Sequence, residues 1–133
     1  MEPVLLALLL ADKVIAEERT HKKTIVGTFN NFWAQQFPAT FPPWYVYVAF
    51  TNVAGEHKLT VDIQSIENDA NVYSVSATFN AQEKTVQTEV SLPVLNAPFP
   101  EPGKYAVYTS IDGQTLGSRI LTVSQMKSQG EKA

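Results

Sequence analysis

The two histidines are the first side chains to consider for acid–base chemistry, because histidine titrates near neutral pH. His21 and His57 both lie in polar segments beside lysines, a pattern that predicts solvated loop tips. A general base works best when a third group orients it inside a dry cleft. The chain has no cysteine, so a cysteine nucleophile is excluded, and it has no G-x-S-x-G motif to mark a nucleophilic serine. We therefore predict no catalytic residue and no enzymatic activity.

One acidic segment has the composition of a cation site. Four oxygen-bearing side chains, Glu67, Asn68, Asp69 and Asn71, lie within a stretch of five residues, and calcium accepts such ligands. Their spacing fits no EF-hand loop, and Asn and Asp are ordinary turn residues, so a turn is the favoured interpretation. A weak cation site is the alternative, and we expect no metal ion.

A pair of carboxylates facing one cleft could hydrolyse glycosides. Asp62 and Glu89 lie on the polar sides of two predicted strands and could approach each other, although nothing in the sequence pairs them. A hydrolase with a hidden carboxylate pair is therefore a minor alternative. The glycines form neither a G-x-G-x-x-G nor a Walker A motif, so no cofactor is expected.

The aromatic residues are concentrated in one part of the chain. Nine of the fourteen lie between residues 29 and 50, several of them beside a proline-rich crossover. Trp33, Trp44 and Tyr45 are the candidate ligand-binding residues, because exposed rings could stack on a sugar or anchor a peptide. The favoured alternative is burial, with large rings closing the open end of a sandwich. Tyr105 is expected to be a corner tyrosine whose hydroxyl binds nearby backbone.

Composition restricts the class of protein and its partners. With 133 residues, 44% of them hydrophobic and 17% charged, the chain is typical of one folded domain. A net charge of −3 argues against a nucleic-acid partner. The apolar run at residues 4–11 follows no positive charge and is too short to span a membrane, so neither export nor membrane contact is expected. The cysteine-free composition fits a cytoplasmic location.

Two proline clusters, at residues 38–43 and 93–102, are predicted to be connections, since proline cannot donate to a β ladder. Between them, four runs alternate apolar and polar residues as strands with one buried face do. These runs cover residues 44–51, 59–64, 73–79 and 85–92. Four strands are therefore predicted in the middle of the chain.

The two ends of the chain carry different signals. Asp112-Gly113 separates two alternating runs and predicts a hairpin, because a type I′ turn needs two positive φ angles. Gly27, inside a strand-like run, indicates a bulge or a close backbone approach. Residues 125–133 are polar and are predicted to be a frayed tail. Residues 4–19 read as a helix as readily as a strand.

Three motifs together carry a resemblance to a known family. They are Ala11-Asp12-Lys13-Val14-Ile15, then Ile25-Val26-Gly27-Thr28-Phe29 followed by Phe37-Pro38, and later Phe99-Pro100-Glu101-Pro102-Gly103-Lys104-Tyr105. Their order and spacing resemble a family of small bacterial β-sandwich domains of unknown function, over residues 4–124. The resemblance implies a strand at residues 5–15 and a charged hairpin tip at residues 17–23. It implies no active site.

The sequence thus predicts an all-β, two-sheet antiparallel β-sandwich of about eight strands, of Greek-key, immunoglobulin-like type. One domain is expected to span residues 1–124. The favoured function is that of a non-enzymatic accessory module that binds an unknown protein partner, and a carbohydrate-binding module is the alternative. The first strand has few charges before Asp12, so pairing through it into a homodimer is also predicted.

Overall fold

Alternating apolar and polar residues fold most of the chain into β strands. The structure is a computed structural model that describes residues 2–126, and these residues contain nine strands and no helix. The strands are β1 (Val4–Ala16), β2 (Lys23–Thr28), β3 (Asn31–Ala34), β4 (Trp44–Thr51), β5 (Gly55–Ser65), β6 (Asn71–Ala81), β7 (Thr88–Val94), β8 (Gly103–Ile111) and β9 (Gln114–Gln125). The all-β expectation is confirmed, with one strand more than predicted.

The strands form two sheets around a shared core. One sheet has four strands in the order β2-β1-β4-β7, and the other has five in the order β3-β9-β8-β5-β6. All neighbours pair antiparallel except β3 and β9, which are parallel. The five-stranded sheet curls into a half-barrel. Topology therefore leaves four edge strands, two in each sheet.

The inward residues of the long strands form one apolar core. The inward residues along β4 and β8, in the second half of β5 and near the end of β9 have less than about a tenth of their surface exposed and pack together, as period-two alternation predicts. The largest of these fully buried side chains are Phe50, Leu59, Ile63, Tyr105 and Leu121. Tyr105 also donates its hydroxyl hydrogen to the Glu101 carbonyl at 2.6 Å, which confirms the expected corner tyrosine.

The first segment is a strand, and the helical alternative is wrong. β1 pairs with β4 along its first half and with β2 along its second, so it lies inside the four-stranded sheet. The expected charged hairpin tip follows, where Glu17 N–H donates to Lys22 C=O at 2.8 Å and His21 N–H to Glu17 C=O at 2.9 Å. Cross-strand pairing thus overrides the helix propensity of this leucine-rich run.

Two details of the middle block differ from the prediction. The run at residues 85–92 becomes a strand only from Thr88, because residues 82–87 form a turn in which Lys84 C=O accepts from Asn52 N–H at 2.8 Å. Pro93 was expected in a connection but lies inside β7. β7 is an edge strand with a neighbour on one side only. A proline is tolerated there when its missing N–H lies on the side without a neighbour, because no hydrogen bond between strands is then lost.

The remaining prolines do mark connections, and the two clusters meet. Ala39 N–H donates to Phe99 C=O at 2.9 Å, and Phe99 N–H donates to Ala39 C=O at 2.8 Å. Between β2 and this bridge lies β3, which the sequence did not predict. It pairs in parallel with the end of β9, and a four-residue strand with a distant partner has too little local pattern to be recognised.

The last hairpin has the predicted turn. Asp112 and Gly113 have φ angles of 49° and 87°, both positive as a type I′ turn requires. β9 then continues to Gln125, the first residue of the predicted polar tail. Residues 127–133 of that tail lie outside the described residues.

Gly27 is confirmed as a site of close approach. Its φ is +69°, and a Cβ added there would overlap the carboxylate of Asp12 on the neighbouring strand. Because an L-residue in this left-handed region loses about 1–2 kcal/mol, Gly27→Ala should lower the free energy of unfolding by at least that amount in urea denaturation. Gly113→Ala is the matched control, since Gly113 also has positive φ but has nothing near its Cβ position.

The Gly113→Ala control measures the cost of positive φ alone, whereas Gly27→Ala also includes the overlap with Asp12. Gly27→Ala should destabilise more than Gly113→Ala, and part of the excess should disappear when Asp12→Ala is added. A Gly27→Ala protein as stable as the wild type would contradict this account of the β1–β2 hairpin.

Candidate functional site

The aromatic cluster is mainly a buried plug. Trp44 is only 2% exposed and meets Phe29 and Phe32 edge to face, with ring centroids 5.4 and 5.6 Å apart. Phe32 stacks on Phe41 at 4.1 Å. Large rings from the crossover therefore close this end of the core, which is the alternative that the sequence favoured.

The three candidate ligand-binding aromatics are not brought together. Trp44 presents no accessible ring face to a ligand. Trp33 is 59% exposed on the outward side of β3, in the five-stranded sheet, whereas Tyr45 is half-buried on the outward side of β4, in the four-stranded sheet. Because the two sheets share one core, their outward sides face away from each other. These residues do not form one flat platform.

The two carboxylates considered for hydrolysis are also separated. Asp62 lies on β5 and accepts a hydrogen bond from the Ser74 hydroxyl, while Glu89 lies on β7 in the other sheet and accepts from the Tyr47 hydroxyl. Burial, followed by this bond to Glu89, raises the pKa of Tyr47 well above its usual range. The two strands lie in different sheets, so the carboxylate pair considered as a minor alternative is not formed by Asp62 and Glu89.

Two amide side chains of the acidic turn make local hydrogen bonds. Asn68 Oδ1 accepts from Ala70 N–H at 3.0 Å, and Asn71 Nδ2 donates to Ser74 Oγ at 2.9 Å. Within residues 2–126, no three metal-ligating side chains of the His, Cys, Asp or Glu type come together. The arrangement is that of a β turn.

His57 has a specific partner that the sequence did not indicate. Its Nδ1 lies 2.6 Å from Asp112 Oδ2, and its Nε2 lies 2.8 Å from the Ala54 carbonyl oxygen. The Ala54 carbonyl and an ionised Asp112 carboxylate can only accept, so this geometry suits the imidazolium form, which donates from both ring nitrogens. Asp112 Oδ1 accepts in addition from Lys58 N–H at 3.0 Å. The pair joins β5 to the β8–β9 turn, 55 residues away in sequence.

These contacts shift both groups toward their charged forms. The hydrogen bond to Asp112, and then the bond to the Ala54 carbonyl, raise the pKa of His57. The bond to His57, and then the Lys58 N–H, lower the pKa of Asp112. With both ring nitrogens engaged, His57 has no free nitrogen with which to take a proton from a substrate. The pair is a structural link beside a pocket of about 330 Å³ that Pro3, Lys84 and Gln114 also line.

The strongest candidate for a binding surface is a sheet edge. β6 has β5 on one side, and in residues 2–126 no backbone hydrogen bond joins it to any other strand. Its sequence, NVYSVSATFNA, has no charged residue and no proline. A bulge at Val72 interrupts its start, and residues 73–81 then continue as a regular ladder with β5. An edge of this length exposes a row of N–H and C=O groups that can pair with another strand.

The other three edges are protected in ways that β6 is not. β7 carries Glu89 and Pro93, β2 carries Lys23 and the left-handed Gly27, and β3 is only four residues long. Charge, proline, irregular backbone and shortness are the usual means by which proteins prevent edge pairing. The contrast identifies β6 as the candidate binding edge.

The half of β1 that β2 leaves unpaired, residues 4–10, is covered by another strand. Residues 4–10 pair with β4 on one side, and on the other Arg119 of β9 donates to the Leu8 carbonyl oxygen at 2.9 Å. A Cβ added at Gly117 would overlap Leu5, which shows how closely β9 approaches there. This seam between the sheets is therefore occupied by the chain's own side chains.

The His57–Asp112 pair predicts a pH-dependent stability. Because folding raises the pKa of His57, its contribution is complete below the ordinary histidine pKa and is lost as the pH rises through the raised value. Because folding lowers the pKa of Asp112, the contribution is also lost as the pH falls below the ordinary aspartate range. In an NMR titration of the ring carbons, Asp112→Asn should lower the pKa of His57. An unchanged pKa would contradict the pairing, and His21 in the same spectra is the internal reference.

Comparison with known proteins gives a family and no activity. A comparison with curated proteins found no significant match. In the described residues no helix could cross a membrane. A family model described as a family of unknown function (DUF6941) matches residues 6–124, nearly the whole of the strand-forming chain. The chain therefore belongs to this family of unknown function, DUF6941.

Proposed function

We propose that this protein is a non-enzymatic protein-interaction module that binds an extended, uncharged segment of its partner along β6. In this proposal the two sheets act as an immunoglobulin-like sandwich, a rigid support that presents one strand edge. The partner adds a strand by β-augmentation, with main-chain hydrogen bonds providing affinity and alternate side chains providing specificity.

The observation that carries this proposal is the unprotected edge itself. β6 offers residues 73–81 as a regular ladder without charge or proline, while every other edge strand is short or protected. Outward from this strand, Ser74, Ser76, Thr78 and Asn80 are exposed and polar, so the free protein tolerates the edge in water. On the core side, Val75, Ala77 and Phe79 are half-buried and would gain apolar contact from an added strand.

A carbohydrate-binding function has weaker support. Its best feature is Trp33, with 59% of its surface exposed, but neither of the other two candidate aromatics lies beside it. Tyr45 is on the other sheet and Trp44 is in the core. Sugar stacking by one isolated indole gives little area for affinity.

Site-specific photo-crosslinking tests the proposed edge. A benzoylphenylalanine replacing Thr78, exposed near the middle of β6, should form an adduct with a partner in cells that express the protein. The same residue at Ser118, exposed on β9 of the same sheet, is the matched control and should form much less. Mass spectrometry of the adduct should identify an extended, uncharged segment as the attachment site.

Failure of this experiment has a defined form. If Thr78 gives no more adduct than Ser118, the edge of β6 is not the binding surface and the proposal is wrong. An adduct attached to a helical or highly charged segment of the partner would also contradict strand addition.

A glycan titration tests the alternative directly. Since Trp33 is exposed and Trp44 is buried, a bound sugar should change the fluorescence of Trp33. We expect no saturable change across a glycan panel. A saturable change that Trp33→Ala abolishes, without loss of the folded circular dichroism spectrum, would favour the carbohydrate-binding function instead.

A further inference from the structure

We propose that the strand added at β6 is the β6 of a second copy of this chain, so that the protein is a two-fold symmetric dimer. This inference rests on the proposed function and identifies the partner that binds along β6. A two-fold axis perpendicular to the sheet brings the two β6 strands together antiparallel and joins two five-stranded sheets into one continuous sheet.

Self-pairing matches the two sides of the strand. In an antiparallel pair about a two-fold axis, residues on one face of β6 lie opposite residues on the same face of its copy. On the core side, Tyr73, Val75, Ala77 and Phe79 would then meet one another and extend the apolar layer. On the outward side, Ser76 and Thr78 would meet hydroxyl and amide side chains. No register of this kind places an apolar side chain opposite an outward polar one.

Charge also permits self-pairing at β6. Two copies of one strand bring identical charges together, and like charges directly opposite each other destabilise a β pair. β6 carries no charge, so this repulsion is absent. Self-pairing at β7 would bring the Glu89 of each copy into the interface, on a strand that also contains Pro93. Self-pairing at β2 would bring in the Lys23 of each copy.

The number of unprotected edges explains why the assembly would stop at two chains. Pairing through two different edges of one molecule would continue into an open filament. Among the edge strands of the described residues, only β6 combines length with the absence of charge and proline. Once β6 is paired with its copy, the exposed ends of the joined sheet are the β3 strands, which are four residues long.

The structure favours β6 over the first strand as the dimer edge. Residues 11–16 of β1 pair with β2 on one side, and this stretch carries the charged residues Asp12 and Lys13, which disfavour pairing of two copies. The free side of residues 4–10 faces β9, where Arg119 occupies the Leu8 carbonyl. A second chain would have to displace that contact at β1. β6 lies near β7 in the same way, but within residues 2–126 no hydrogen bond to the main chain of β6 would be lost on that side.

Sedimentation of the full chain over a wide concentration range tests the dimer. The wild type should shift from the mass of one chain to twice that mass as concentration rises. Ser76→Lys places a charge at the middle of the edge and should weaken dimerisation by roughly tenfold or more. The matched control is Ser118→Lys, which adds the same charge at an exposed position of β9 and should dimerise as the wild type does.

Each outcome separates this inference from the proposed function. A wild type that stays monomeric while Thr78 crosslinks to a different protein overturns the dimer and leaves the binding edge in place. A monomer with no Thr78 adduct overturns both. A dimer that Ser76→Lys leaves intact places the interface elsewhere and overturns the inference. Thr78→Lys is the second variant if Ser76→Lys does not fold.

Discussion

The outward-facing N–H and C=O groups of an edge strand must be hydrogen-bonded to water or to another chain, and this requirement organises the whole molecule. Two sheets of four and five strands have four edges, and the chain treats them differently. Three are protected by charge, proline, left-handed backbone or shortness, and one is long and neutral. Water satisfies the groups of an exposed edge, but any strand of matching length can replace it.

The interior explains how so regular an edge is held in place. The core residues of β5 pair directly beside β6 and are fully buried, so β6 is fixed in register along its length. Tyr73 adds a link between the sheets, since its hydroxyl accepts from Leu95 N–H at 3.1 Å. At the other end of the core the aromatic plug around Trp44 closes the space beneath the crossover. The aromatic cluster thus stabilises the fold that presents the edge.

The local sequence pattern was sufficient to predict several strands, one turn and one close contact. Alternation predicted β4, β5 and β6, Asp112-Gly113 predicted the last hairpin, and Gly27 predicted a close approach. The alternation and the turn are patterns of residues within a few positions of one another, and Gly27 approaches Asp12 on the adjacent strand of the same hairpin. The resemblance then decided correctly between helix and strand for the first segment, where propensity was evenly divided.

Features that depend on the order of strands in the sheets could not be predicted. β3 exists only because the distant β9 pairs with it, and His57 has a carboxylate partner only because the fold brings Asp112 beside it from 55 residues away. The alternation of β6 indicates a strand with one buried face but does not say which strands flank it. Whether Asp62 and Glu89 meet likewise depends on which sheet each strand joins, and they join different sheets.

Amide hydrogen exchange of residues 73–81, measured as a function of protein concentration, tests the central claim most directly. In β6 the amides that point away from β5 have no partner within one chain, so they exchange quickly in a dilute monomer. If two copies pair through this edge, the same amides become protected as concentration rises, while the amides of β5 stay unchanged. Exchange of the β6 amides that is equally fast at every concentration, in a solution where the protein is dimeric, would contradict the account.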